Sequence, residues 1–254
     1  MKRLYKYLPI VTVILLVAVW YIAAAVVNAE IIMPSPTQVI LDLGALFSSA
    51  EFYVALSYSL LKTILSFMIA LFFAILFSYL SYEFKFIERL LYPIVIVVRS
   101  TPTMSLIFLC LIWFSSQISP IIVSFTVLFP MLYASLFSAL NGVDEKLIEM
   151  SKAYYAPRKI ILTKVYLPHV VKSVYPDLIA ALSFNVKLIL AAEAWAQTRP
   201  SLGLSMYKAN VNLLTSDLFA LTVVAIILGF ILELIMKFIR YIFGRIRNAA
   251  LDRN

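Results

Sequence analysis

Apolar residues fall into six runs, each long enough to cross a bilayer, with the polar residues collected between them. The runs lie near 9–28, 56–81, 90–114, 120–140, 174–195 and 217–239. A spanning helix needs about 20 such residues. Hydrocarbon offers no water to a bare backbone, so each run must bond its own N–H and C=O groups as a helix. A closed barrel of strands would show alternating polarity, and Ile10–Val19 shows none. The expected fold class is all-α: a polytopic membrane protein of six transmembrane helices, with one transmembrane domain over 1–254 and a cytoplasmic hairpin over 144–168.

The first run begins behind Lys2, Arg3 and Lys6 and ends near Ala23-Ala24-Ala25, an outline that a signal peptide shares. Its apolar part is longer than a typical signal h-region, so an uncleaved span is expected. Between the first two runs, Met33-Pro34-Ser35-Pro36 cannot be helical throughout, because each proline restricts the residue before it. Thr37 could then cap a short helix lying flat on the outer surface, with Val39, Ile40, Leu43, Leu46 and Phe47 on one face. A plain linker is the alternative. Pro102, Pro130 and Pro176 should kink spans or mark their ends.

Composition agrees with the pattern. Of 254 residues, 63% are hydrophobic and 13% charged, against about a quarter charged in soluble domains. The net charge of +8 does not point to nucleic acid, because the positive residues sit at the ends of apolar runs. Seventeen of the 21 Lys and Arg lie at the two termini and in the 81–99 and 141–172 connections, against two in the opposite loops. Such a bias places cations on the cytoplasmic side. Both termini and the 141–172 connection are therefore expected in the cytoplasm of a multi-pass inner membrane protein.

That connection changes character. Leu147, Met150, Ala153 and Tyr154 share a face of a short helix, Pro157 stops it, and a second helix runs through Ile160, Ile161, Lys164 and Val165 to Leu167-Pro168 at the membrane. An amphipathic loop resting on lipid headgroups would read the same way.

Spacing adds to this reading. Glu149-Met150-Ser151, Tyr155, Val165 and Leu167-Pro168 fall, without a gap, on a pattern of Glu-Ala-Ala, three residues, Gly, nine residues, Ile, one residue and Leu-Pro. That pattern resembles the cytoplasmic signature of permease subunits in binding-protein-dependent ABC importers. Pro34-Ser35-Pro36, Arg99-Ser100-Thr101-Pro102, Leu111-Ile112-Trp113-Phe114, Ala192-Glu193 and Gly203-Leu204 resemble the nitrate, sulfonate and taurine branch, so the likeness covers roughly 8–245. It departs where Met150 and Ser151 replace two alanines and Tyr155 replaces glycine. Tyrosine resists the left-handed backbone that glycine permits at a helix end, so Pro157 is expected to supply the turn.

The resemblance implies a MetI-like permease fold whose hairpin is a coupling helix for a separate ATP-binding cassette ATPase. Ala153, Tyr154, Tyr155, Ala156 and Pro157 would form its tip, Arg158 and Lys159 its polar contacts, and Glu149, Leu167 and Pro168 its framing positions. It implies a second permease copy, in a homodimer or heterodimer. It also implies an extracytoplasmic solute-binding protein that delivers a nitrate-, sulfonate- or taurine-like anion or a vitamin precursor. The alternative is a secondary transporter or channel not coupled to ATP.

Candidate chemistry is sparse. Ionisable groups within a membrane are costly and hint at function. The fifth run holds Asp177, Asn185, Lys187 and Glu193. At about 100° per residue, Lys187 shares a face with Ala180, Ser183, Ala191 and Ala194, while Asn185 points nearly opposite. Ser183, Lys187, Ala191 and Glu193 are the candidate pathway residues; Lys187 snorkelling, or pairing with a carboxylate of another span, is the alternative. Lys62 is expected to snorkel at the outer end of the second run, and Glu233 to pair with Lys237 one turn on. The five glycines are too scattered to cradle a phosphate. His169 and Cys110, the only His and Cys, are far apart, which argues against a metal site. No cofactor and no catalytic residue is expected; ATP hydrolysis would belong to the partner subunit.

Overall fold

The computed structural model describes residues 8–251, and every regular element within them is helical. Lys2, Arg3, Lys6, Arg253 and the side chains of Arg245 and Arg247, counted above among the cytoplasmic cations, lie outside the described part. The elements are α1 (Leu8–Val27), α2 (Pro36–Phe47), α3 (Ala50–Glu83), α4 (Lys85–Ser100), α5 (Thr103–Trp113), α6 (Ser119–Asn141), α7 (Glu145–Ala153), α8 (Arg158–Ile161), a π-turn (Leu162–Tyr166), α9 (Leu167–Ala196), α10 (Leu202–Val211) and α11 (Thr215–Leu251).

Among the described residues five helices are long and apolar enough to span a membrane, and the third expected span is instead a broken pair. α4 and α5 meet at an angle of 104°, at Thr101-Pro102. Pro102 cannot donate to the ladder and restricts Thr101 to extended backbone, which is where Thr101 sits (φ −75°, ψ 128°). The fifth expected span also differs. Leu167-Pro168 does not end a helix but opens α9, where a proline in the first turn is tolerated. The hairpin's second arm therefore runs through the π-turn directly into the membrane helix.

The core sits where α3, α6 and α9 meet. The buried face of α3 is mostly small, with Ser59, Thr63, Ser66, Ala70, Ala74, Ser78 and Ser81. Their spacing of three and four residues keeps them on one side, and small side chains let α6 come close. Along that contact α6 supplies a column of adjoining rings, Phe125 stacked on Phe129 and Tyr133 stacked on Phe137 with a tilted step between the pairs, and the Tyr133 hydroxyl donates to Ser81 Oγ at 3.0 Å.

α2 forms as expected, but Ser35 rather than Thr37 caps it. The Ser35 hydroxyl accepts from the Gln38 N–H at 3.2 Å, and Pro36 occupies the first helical position. Val39, Leu43 and Leu46 turn inward, while Ile40 stays exposed. Trp20 of α1 donates its indole N–H to the Pro34 carbonyl at 3.1 Å, tying the first span to this entry loop.

Candidate functional site

The hairpin grows from local rules. Asp144 caps α7 by accepting from the Lys146 N–H at 2.9 Å. The helix ends in a Schellman motif, in which the Ala156 N–H reaches the Ser151 carbonyl at 3.0 Å and the Tyr155 N–H reaches Lys152 at 2.9 Å. That motif needs a left-handed residue at the position of Tyr155, and Tyr155 takes it with φ 55°. The expectation that Pro157 would replace this turn is corrected: Tyr155 bears the conformation itself, and Pro157 only starts α8. A tyrosine held there costs roughly 1–2 kcal/mol relative to ordinary backbone.

The turn throws the tip outward. Tyr154 is 81% and Tyr155 95% exposed. Leu147 and Met150 are exposed beside them, and α7 buries nothing. Glu149, Ala153, Pro157 and Lys159 are likewise exposed, as are Leu167 and Pro168 at the start of α9, whereas Ala156 is half-buried. Arg158, expected as a contact for a partner, pairs with Glu83 at the end of α3 while keeping most of its surface exposed. The Tyr166 and Tyr82 hydroxyls bond at 2.7 Å. Behind these contacts lies a cleft of about 470 Å³, lined by residues that include Ile148, Lys152 and Leu162.

The pathway candidates divide. Ser183, Lys187, Ala191 and Ala194 of α9 line one groove of about 670 Å³ against Ala225, Gly229, Phe230 and Glu233 of α11. Its wall is almost wholly apolar apart from Lys187, Ser183, Thr222 and Glu233. Lys187 is exposed and makes no ion pair among the described residues, while Glu233 pairs with Lys237 at 2.6 Å as expected. Asn185 points away, fully buried, donating to the Thr63 carbonyl at 2.7 Å and Ser66 Oγ at 3.0 Å and accepting from Ser124.

Glu193 does not join that wall. It is 0% exposed and holds the Lys62 ammonium at 3.0 Å, which also corrects the expectation that Lys62 snorkels. Ser59 Oγ donates to the second carboxylate oxygen at 2.6 Å, and the Gly203 N–H approaches it at 3.4 Å. The carboxylate thus faces the N-terminus of α10, where a negative charge is favoured. Ser59 also accepts from the Leu202 N–H at 3.0 Å. A Cβ on Gly203 would stand 2.4 Å from the Leu190 carbonyl oxygen and 2.5 Å from Glu193 Cβ, so the close approach requires glycine. Sequence reasoning missed Ser59 and Gly203 as members of this cluster. The signal was present in Ser59, Lys62, Thr63 and Ser66, polar residues three and four apart inside an apolar run.

His169 lines a separate polar cavity of about 270 Å³ with Ser135, Ser138, Gly142, Ser173 and Asp177.

Residues 74–247 match a family described as the binding-protein-dependent transport system inner membrane component. The putative aliphatic sulfonates transport permease protein SsuC of Escherichia coli (strain K12) is 30% identical over 181 residues, which is 70% of this chain and 68% of that protein. The formylaminopyrimidine transport permease protein ThiX of Halalkalibacterium halodurans is 22% identical over 208 residues, 80% of this chain and 81% of that one. Among solved structures, a chain of the MetNI methionine ABC transporter in an inward-facing conformation superposes with a TM-score of 0.58 at 19% identity, covering 74% of this chain and 93% of its own. A chain of a bacterial ABC transporter involved in import of the acidic polysaccharide alginate gives 0.60 at 13%, covering 94% and 96%. These structural likenesses concern the fold.

Proposed function

Because this chain belongs to the family of inner membrane components of binding-protein-dependent transport systems, it is the membrane-spanning permease subunit of an ABC importer, and we propose that the Ala153–Pro157 tip is where a separate ATPase subunit drives it. The observation that carries this reading is the exposed aromatic pair Tyr154 and Tyr155, held outward by a strained turn between two spans. An apolar tip on a loop without a partner is unfavourable in water, and a groove in another protein relieves it. Glu149 and Lys159 flank it as polar contacts.

The chain acts as one permease domain with its hairpin and both termini in the cytoplasm. Hydrolysis belongs to the ATPase, and no residue of this chain reacts. Two permease copies enclose the pathway, and a solute-binding protein delivers the substrate from the opposite side. Closure of the ATPases rocks the copies between inward- and outward-open states. The pathway follows the Ser183, Lys187, Ala191 face of α9, where a single cation in an apolar wall favours an anion. The relatives named for aliphatic sulfonates and formylaminopyrimidine support a small solute, either such an anion or a vitamin precursor.

Tyr155→Glu tests the coupling role. It should abolish co-purification of an ATPase from native membranes while membrane insertion stays normal; undiminished co-purification would defeat the assignment.

A further inference from the structure

α9 has two soft joints. The π-turn Leu162–Tyr166 precedes it without a break, and Pro176 lies inside it. Both disturb the regular hydrogen-bond ladder, so a helix built this way bends under load. α3 beside it runs 34 residues without a proline and lies along α6 through its small-residue face.

α3 is tied at both ends to the continuous helical run 158–196 formed by α8, the π-turn and α9. At the hairpin end, Arg158 pairs with Glu83 and the Tyr82 and Tyr166 hydroxyls bond at 2.7 Å. At the far end, Lys62 pairs with Glu193 at 3.0 Å and Ser59 holds the same carboxylate at 2.6 Å. The two ties are about 32 Å apart along α3, at about 1.5 Å per residue. The far tie continues into α10, because the Leu202 N–H donates to Ser59 at 3.0 Å.

Stability alone does not account for the charged tie. Matched apolar groups commonly replace a buried ion pair at little cost. An ion pair does fix geometry, because each partner is costly to bury without the other. Glu193 is fully enclosed and presents no surface to the groove that Lys187 lines.

We propose that α3 is a splint for α9, and that Lys62 and Glu193 are positioning residues forming its far tie. A displacement of the hairpin then arrives at the start of α10 instead of being absorbed by bending at the π-turn and Pro176. This rests on the coupling role proposed for the hairpin.

The test uses the permease in complex with the ATPase that co-purifies with it, in phosphatidylethanolamine–phosphatidylglycerol nanodiscs. A nitroxide is placed at Lys208→Cys, an exposed position on α10, while the native Cys110 is buried. The probe is ATP with vanadate, and the readout is the distance between labels on the two copies, set against ATP hydrolysis. The parent complex should shift on trapping. In Lys62→Met/Glu193→Gln, the shifting fraction should fall about 10-fold, within the usual range of coupling between sites, in complexes that still hydrolyse ATP. A double variant in which hydrolysis and label response fall together overturns the proposal, because the pair would then hold the fold rather than carry the displacement. Glu83→Gln, at the other tie, should act in the same direction. A full shift in the double variant overturns the proposal. A double variant that fails to assemble overturns it too, since the pair would then be a folding element. A parent chain that binds no ATPase defeats the proposed function first, and is seen before any substitution is made.

Discussion

Lys187 and Glu193 lie six residues apart on α9, and their side chains end in opposite environments. Lys187 opens onto a groove and has no ionic partner among the described residues, whereas Glu193 is sealed among Lys62, Ser59 and the start of α10. At about 100° per residue the two differ by about 120° around the helix, enough to separate a wall from a core. A charge inside a membrane is thus not one kind of signal. One such residue can be an unspent contact for a solute, and another can be a joint of the protein.

The contrast can be broken most sharply at the core. Glu193→Leu leaves the Lys62 ammonium buried without its partner, and should destabilise the protein by about 3–5 kcal/mol. Thermal unfolding in detergent measures this, and an unchanged midpoint would mean that Lys62 finds water after all. Gly203→Ala should cost about 1–3 kcal/mol by overpacking, because the new methyl meets the Leu190 carbonyl and Glu193 Cβ. The same melting experiment checks it, and a neutral result would show that α10 can lift away from α9. Lys187→Met should change stability by less than about 0.5 kcal/mol, as exposed sites do. It should nonetheless cut uptake by about 10-fold or more through loss of one charged contact. Uptake at the parental rate would remove Lys187 from the pathway and leave the groove as lipid-facing surface.

The hairpin offers a parallel lesson. Its position, its two arms and the departure at Tyr155 are all visible in the order of residues 149–168. The conformation of Tyr155 is not, because propensity disfavours what the Schellman bonds of Lys152 and Ser151 impose. The break at Thr101-Pro102 was legible as a proline, but its 104° angle was not. A proline removes one bond and forbids one conformation, while the packing of α4 and α5 on the bundle sets the direction of the turn. The role of Arg158 was read from the hairpin alone, and its partner Glu83 stands 75 residues away in the chain.

Residue order by itself determined the all-helical class, the positions of the apolar runs and the place of the polar hairpin between the fourth and fifth of them. Those follow from the length of apolar runs and from where charge interrupts them, both of which are local properties. Only the tertiary structure decided which polar groups face each other. Lys62 and Glu193 are 131 residues apart, and no periodicity within one helix reveals what another helix brings to its side.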